Sequence, residues 1–94
     1  MRIEEVLWLD EIVEKLWRKH RIEIYEVEEV LSQRPHIRFV EAGHWPGEDM
    51  YAALGRTDAG RYLTVFFVYK VDRRALIISA RDMDTAERRR YERS

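Results

Sequence analysis

The apolar positions of the chain change their period once, near the first proline, and that change divides it. In "LDEIVEKLWRKH" (9–20), Leu9, Ile12, Val13, Leu16 and Trp17 recur at helical spacing on one face with Asp10 placed to cap, which predicts a helix over 10–20. A second, shorter helix runs through "YEVEEVLSQ" (25–33), where Val27, Val30 and Leu31 share a face, acidic residues line the outer side, and Pro35 ends the run. Beyond Pro35 the period is two. "HIRFVE" (36–41) sets Ile37 and Phe39 against His36, Arg38 and Val40, and "DMYAALG" (49–55) can pair with it as a second strand.

A hairpin is the clearest signal. "GRTDAGRY" is rich in turn residues, and its glycines at 55 and 60 suit backbone angles that a β-carbon penalises. The flanking "YLTVFFVYK" (62–70) and the later "ALIIS" (75–79) are apolar on both faces, which predicts central strands covered on both sides or nearly so and joined by the turn "VDRR". After Arg81, Asp84 and Glu87 form a capping box for a closing helix through Arg93. Only Met83, Ala86 and Tyr91 offer it apolar surface, so the sheet should hold it lightly, as suits an element that moves when a partner binds. The pattern predicts an α+β fold: two N-terminal helices, an antiparallel sheet of about four strands and a C-terminal helix. Ninety-four residues fit one such domain, 1–94, with a modest core.

Composition narrows the setting. No apolar run approaches the roughly 18 residues that a membrane helix needs, no signal peptide opens the chain, and the absence of cysteine removes disulfide and thiolate chemistry. The expected location is the cytoplasm. A net charge of −1 conceals an asymmetry: residues 1–50 carry 7 Lys/Arg against 12 Asp/Glu, and residues 51–94 carry 10 against 6. Fourteen of the 17 basic residues are arginine, whose planar fork suits phosphate and carboxylate. A solvated mixed-charge surface is the plainer account of the same counts. The histidines at 20, 36 and 44 have no ligand spacing, so no metal site and no cofactor are expected.

Three stretches carry a family resemblance. "WRKH" (17–20), "LGRTDAGRYLTVFFV" (54–68) and "IISARDMDTAERRRY" (77–91), in that order over most of the chain, resemble the BrnT-like toxins of bacterial type II toxin–antitoxin systems. The resemblance implies a fold similar to the RelE-type ribonuclease toxins. It also implies an RNA endonuclease held inactive by a partner, typically a ribbon-helix-helix antitoxin that binds DNA, and a toxin with no sequence-specific DNA binding of its own. The chain departs from the family pattern at three places: Arg21 stands where glycine is usual, Leu16 where asparagine is usual, and Met50 where an arginine is common.

Metal-free RNA cleavage needs a base for the ribose 2′-OH, an acid for the leaving 5′ oxygen and fixed cations for the charge that develops on phosphorus. The resemblance puts catalysis on His20, Arg81, Glu87 and Tyr91. Histidine is the residue type suited to proton transfer at neutral pH, and His20 sits beside Lys19 at a helix end; a helix-terminal histidine favoured by the dipole explains it equally. Arg81 leaves a strand at a helix N-terminus, where phosphates are often bound, or else is a structural partner of Asp82, Asp84 or Glu87. Glu87 and Tyr91 share a helix face as proton carriers or as supports for Arg81, although capping alone accounts for Glu87.

Lys19, Arg56, Arg61 and Arg88 are candidates for phosphate contact, against the simpler reading of Arg56 and Arg61 as solvated loop arginines. Trp8, Trp17 and Phe39 fall at apolar periodic positions and are expected in the core. Trp45, in a loop between His44 and Pro46, is a candidate for contact with a partner or for RNA stacking. Two function classes follow: a ribonuclease toxin neutralised by an antitoxin that covers the cleft between sheet and last helix, or a toxin-fold binding module that regulates transcription with a DNA-binding partner.

Overall fold

The computed structural model describes residues 1–94. Eight elements follow one another: β1 (Glu5–Leu7), α1 (Asp10–His20), α2 (Ile24–Ser32), β2 (His36–Glu41), β3 (Asp49–Arg56), β4 (Tyr62–Tyr69), β5 (Arg74–Asp82) and α3 (Thr85–Arg93). The class is α+β as the period change predicts, and the order of helices and strands after residue 10 is the expected one. The sheet has five strands, not four, in the order β1-β5-β4-β3-β2, and it is mixed. β1 lies parallel to β5, Glu5 opposite Arg74 and Leu7 opposite Leu76, while the other neighbours are antiparallel. Three residues cannot display a period, so β1 left no pattern to read.

α1 and α2 pack on one face of the sheet. Leu16, Ile22, Val27 and Val30 meet Ala53, Leu63, Val65, Phe67, Ala75, Ile77 and Ala80 in a core that is closed to water. α1 spans the predicted 10–20, but its cap differs from expectation: Leu9 occupies that position without a side-chain acceptor, and Asp10 is the first helical residue, where its charge suits the positive end of the helix. α2 opens on a capping box, with the Glu26 carboxylate accepting from the Glu23 amide at 3.0 Å. Trp8 packs against the core as expected. Trp17 and Phe39 do not, being 49% and 58% exposed: Trp17 lies in the last part of α1 against Arg21, and Phe39 is on β2, the edge strand.

The opposite face carries α3 alone. Phe66, Val68, Leu76 and Ile78 are only half buried there, although Thr64 is closed to water, so the expected cover on both sides of β4 and β5 is full on the α1–α2 face and partial on this one. No residue of α3 is buried, and no helix of the protein is long and apolar enough to cross a membrane. The two hairpin glycines serve different needs. Gly60 has φ +94°, which a side chain resists, whereas Gly55 sits in extended β3, where a β-carbon would come within 2.9 Å of Val30 on α2.

Candidate functional site

The ends of β4 and β5, the C-terminus of α1 and the N-terminus of α3 meet at one end of the sheet. Because side chains alternate along a strand, the consecutive residues Arg81 and Asp82 go to opposite faces, and two arginine networks result.

On the α1–α2 face, Arg61 is held by protein groups on every side. Its guanidinium donates to the main-chain carbonyls of His20 at 2.7 Å and Arg21 at 2.8 Å, to both carboxylate oxygens of Asp82 at 2.8 and 3.2 Å, and to Glu26 at 3.4 Å. It ties the end of α1, the start of α2 and the end of β5 together. The hydrogen bonds from Arg61 hold the Asp82 carboxyl below the usual range against the opposing effect of burial, with the charges of Arg61 and His20 helping. Arg61 is thus half-buried and fully engaged, not a solvated loop residue.

On the α3 face, Arg81 makes a two-pronged contact with Glu87, Nη1 to Oε1 at 2.5 Å and Nη2 to Oε2 at 2.8 Å, and lies 5.4 Å over the ring of Phe66. The capping box read from the sequence is present: Glu87 accepts from the Asp84 amide at 2.9 Å, and its own amide donates to Asp84 at 2.7 Å. Burial pushes the Glu87 carboxyl up, but the hydrogen bonds from Arg81 and the Asp84 amide outweigh it and leave the group below its ordinary range. At neutral pH Glu87 is therefore a carboxylate. It orients Arg81 and is poorly suited to giving up a proton.

One turn further along α3, Tyr91 meets the ring of Tyr62 edge-on at 5.9 Å, and two guanidinium groups lie over that same ring, Arg88 at 4.0 Å and Arg56 at 4.7 Å. The structure thus gathers five of the sequence candidates on one open face: Arg81, Glu87, Tyr91, Arg56 and Arg88. Lys19 and His20 belong to the other side, at the end of α1, where His20 is linked to Asp82 by charge and Lys19 is exposed. Trp45 stands apart in the β2–β3 loop, 71% exposed.

An open cleft of about 710 Å³ adjoins the Tyr62 ring, lined by Arg34, Pro35, His36, Arg56, Tyr62, Tyr91, Glu92 and Ser94. Arg34, His36 and Tyr62 were not among the candidates. The strand alternation that set His36 apart from Ile37 was the available signal, since the register His36 opposite Leu54 puts it on the same face as Arg56.

With this geometry in place, comparison with known proteins is informative. The family model described as the ribonuclease toxin BrnT of type II toxin–antitoxin systems matches residues 8–87. The chain belongs to this family. The matched span takes in the BrnT-like stretches at the end of α1, the β3–β4 hairpin and the junction of β5 with α3 up to Glu87. A crystal structure of the Brucella abortus ribonuclease toxin BrnT superposes with a TM-score of 0.61 at 17% identity, over 86% of this chain and 97% of that one, which establishes the shared BrnT fold. No curated protein matches the chain.

The BrnT-family departures are explained in part. Arg21 has φ +52° at the C-cap of α1, a left-handed conformation in which its amide and the next one close the helix on Trp17 and Leu16. Glycine, usual in the family, adopts that conformation without strain. Leu16 is buried at 1% exposure, so an apolar residue there belongs to the core. Met50 pairs with Val68 on the same side of β3 as Arg56, six residues from it along the strand.

Proposed function

We propose that this chain is the toxin of a type II pair, an RNA endonuclease that works without a metal ion, slows growth by reducing translation, and is neutralised in the cytoplasm by a ribbon-helix-helix antitoxin that supplies the DNA binding the toxin lacks. The observation that carries the reading is the gathering of Arg81, Glu87, Tyr91, Arg56 and Arg88 on one open face at the end of β5, in a member of a ribonuclease toxin family. In this reading the ribose 2′-oxygen attacks phosphorus, the P–O5′ bond breaks, and a 2′,3′-cyclic phosphate is left. His20, from the α1 side of this sheet end, takes the 2′-hydroxyl proton of a strand that passes over the end, and Tyr91, on the α3 side, gives a proton to the departing 5′ oxygen. Arg81, oriented by Glu87, meets the growing negative charge on the non-bridging oxygens, where a positioned cation acts most strongly.

The test is RNA cleavage by purified protein in the presence of EDTA. Arg81→Ala and His20→Ala are expected to lose about 10²–10³-fold in rate while melting cooperatively, and to relieve the growth defect of the wild type. Wild-type rates in a folded Arg81→Ala variant would remove Arg81 from the chemistry.

One observation favours a second reading. Glu87 occupies both prongs of Arg81, and Met50 stands where the family commonly has an arginine, as suits a toxin-fold module that binds its partner and contributes to operator binding without cleaving RNA. That reading requires a wild type inert toward RNA, yet tightly bound to the product of the neighbouring reading frame.

A further inference from the structure

The arginines at this end of the molecule divide by how they are satisfied. Arg61 and Arg81 are each matched by carboxylates. Arg34, Arg56 and Arg88 are not so matched. Arg56 rests on the Tyr62 ring at 4.7 Å and has no ion-pair partner, while Arg88 lies over the same ring at 4.0 Å and reaches Glu92 only at 3.8 Å. A tyrosine face offsets only a small part of a cation's need for a partner at an exposed site, so Arg56 keeps its capacity to bind an anion. What completes such an arrangement is an anion in the cleft that Arg56 lines.

Arg34 adds an independent sign. It lines the same cleft, and it does so with φ +53°, a conformation that glycine adopts freely and arginine does not. Arg34 stands two residues beyond the end of α2, where this conformation turns the chain into β2, and it has no ion-pair partner there. The cleft is closed on one side by the start of β2 and on the other by the last turn of α3, and at about 710 Å³ it has the size of a small-molecule site. That is room for a nucleotide or two of a single strand. Tyr62 and Tyr91 supply the aromatic walls that unpaired bases favour.

We infer that this cleft is a subsite for the backbone of single-stranded RNA, in which Arg34 and Arg56 bind a phosphate flanking the scissile one and the Tyr62 ring holds Arg56 in place. The inference rests on the ribonuclease reading and extends it, because Tyr91 belongs both to the cleft and to the helix face that carries Glu87. Arg81 then faces the reacting phosphate, and the cleft fixes the strand beside it.

The test measures binding of a fluorescein-labelled, fully 2′-O-methylated single-stranded oligoribonucleotide, which lacks the hydroxyl that cleavage uses, over a series of salt concentrations. Arg34→Gly and Arg56→Gln are each expected to weaken binding and to reduce the slope of log K against log salt by about 0.7, the contribution of one phosphate contact on a single strand. Arg34→Gly is expected to melt no lower than the wild type, which separates lost contact from lost fold. Arg18→Gln, on α1 at the other side of the sheet, is expected to leave the slope unchanged.

Unchanged slopes in both cleft variants, with a wild type that cleaves RNA, would overturn the subsite and leave the ribonuclease reading standing. A wild type that neither binds nor cleaves RNA removes both. Variants that keep RNA binding but lose affinity for the antitoxin would show that the cleft receives an acidic protein segment, which also overturns the inference.

Discussion

The two faces of the one sheet are finished differently. Under α1 and α2 the side chains of Leu63, Val65 and Phe67 are wholly withdrawn from water, and Arg61 at the margin is gripped by two main-chain carbonyls and two carboxylates. Under α3 the neighbouring Phe66 and Val68 stay half exposed, and Arg81 is held chiefly by a single side chain on a helix that buries nothing. An arginine bound to main-chain carbonyls cannot be released without moving the helices that own them. One bound to a carboxylate can exchange it for a phosphate. Residue type does not separate a structural arginine from a functional one; the kind of partner does.

The contrast can be broken most forcefully at two adjacent residues. Phe67→Ala is expected to cost about 4 kcal/mol, as truncation of a closed core does, and Phe66→Ala about 1–2 kcal/mol, because water already reaches that face. Urea denaturation of the two variants measures the difference, and equal costs would mean that α3 covers its face as well as α1 and α2 cover theirs.

Next in size is Arg61→Ala. Removing it leaves Asp82 and Glu26 without their cation and the α1 terminus without its tie, a loss of about 3 kcal/mol. Should this variant melt like the wild type and fail only in RNA cleavage, Arg61 would return to the phosphate-binding set that the sequence suggested.

A pH series sharpens the comparison further. Asp82 and Glu87 both have folded-state values depressed below the ordinary carboxylate range, so their contributions are present above that range and are lost as pH falls through the folded values. Wild-type stability should therefore decline below about pH 5. Glu87→Gln should remove about 1–2 kcal/mol at neutral pH and flatten that acid decline, as thermal melts across pH will show. An acid branch that Glu87→Gln leaves unchanged would mean that the contact with Arg81 adds nothing to the fold. The smallest expected effect is a gain: Arg21→Gly should stabilise by about 0.5–1 kcal/mol, less whatever is lost with the contact between Arg21 and the Trp17 ring. A loss of stability in the same denaturation assay would show that this contact outweighs the backbone strain.

Where a periodic pattern is long, the sequence was readable almost to the residue. α1, β2 and the capping box of α3 stand where spacing put them, because side-chain alternation and cap chemistry are local. Periodicity placed Trp17 and Phe39 on apolar faces, but not at the margin of the fold, one near the end of α1 and one on the edge strand, and both proved exposed. Gly55 was legible as a necessary glycine for the wrong reason, since its constraint comes from Val30 on another element. The site divides in the same way. The pairing of Arg81 with Glu87 follows from six residues of nearby sequence, whereas the grip on Arg61 comes from carbonyls forty residues away, and the cleft is built from four separate segments. No local signal can disclose contacts of that span.

The parallel pairing of β1 with β5 bears on the order in which the protein is made. Translation delivers Glu5 to Leu7 first, yet their hydrogen-bonding edge does not exist until Arg74 to Leu76 have followed. The strand synthesised earliest must wait for the one synthesised last. Arg81, Glu87 and Tyr91 emerge later still, so the edge that β1 needs and the arginine–carboxylate pair of the open face are both completed at the end of synthesis.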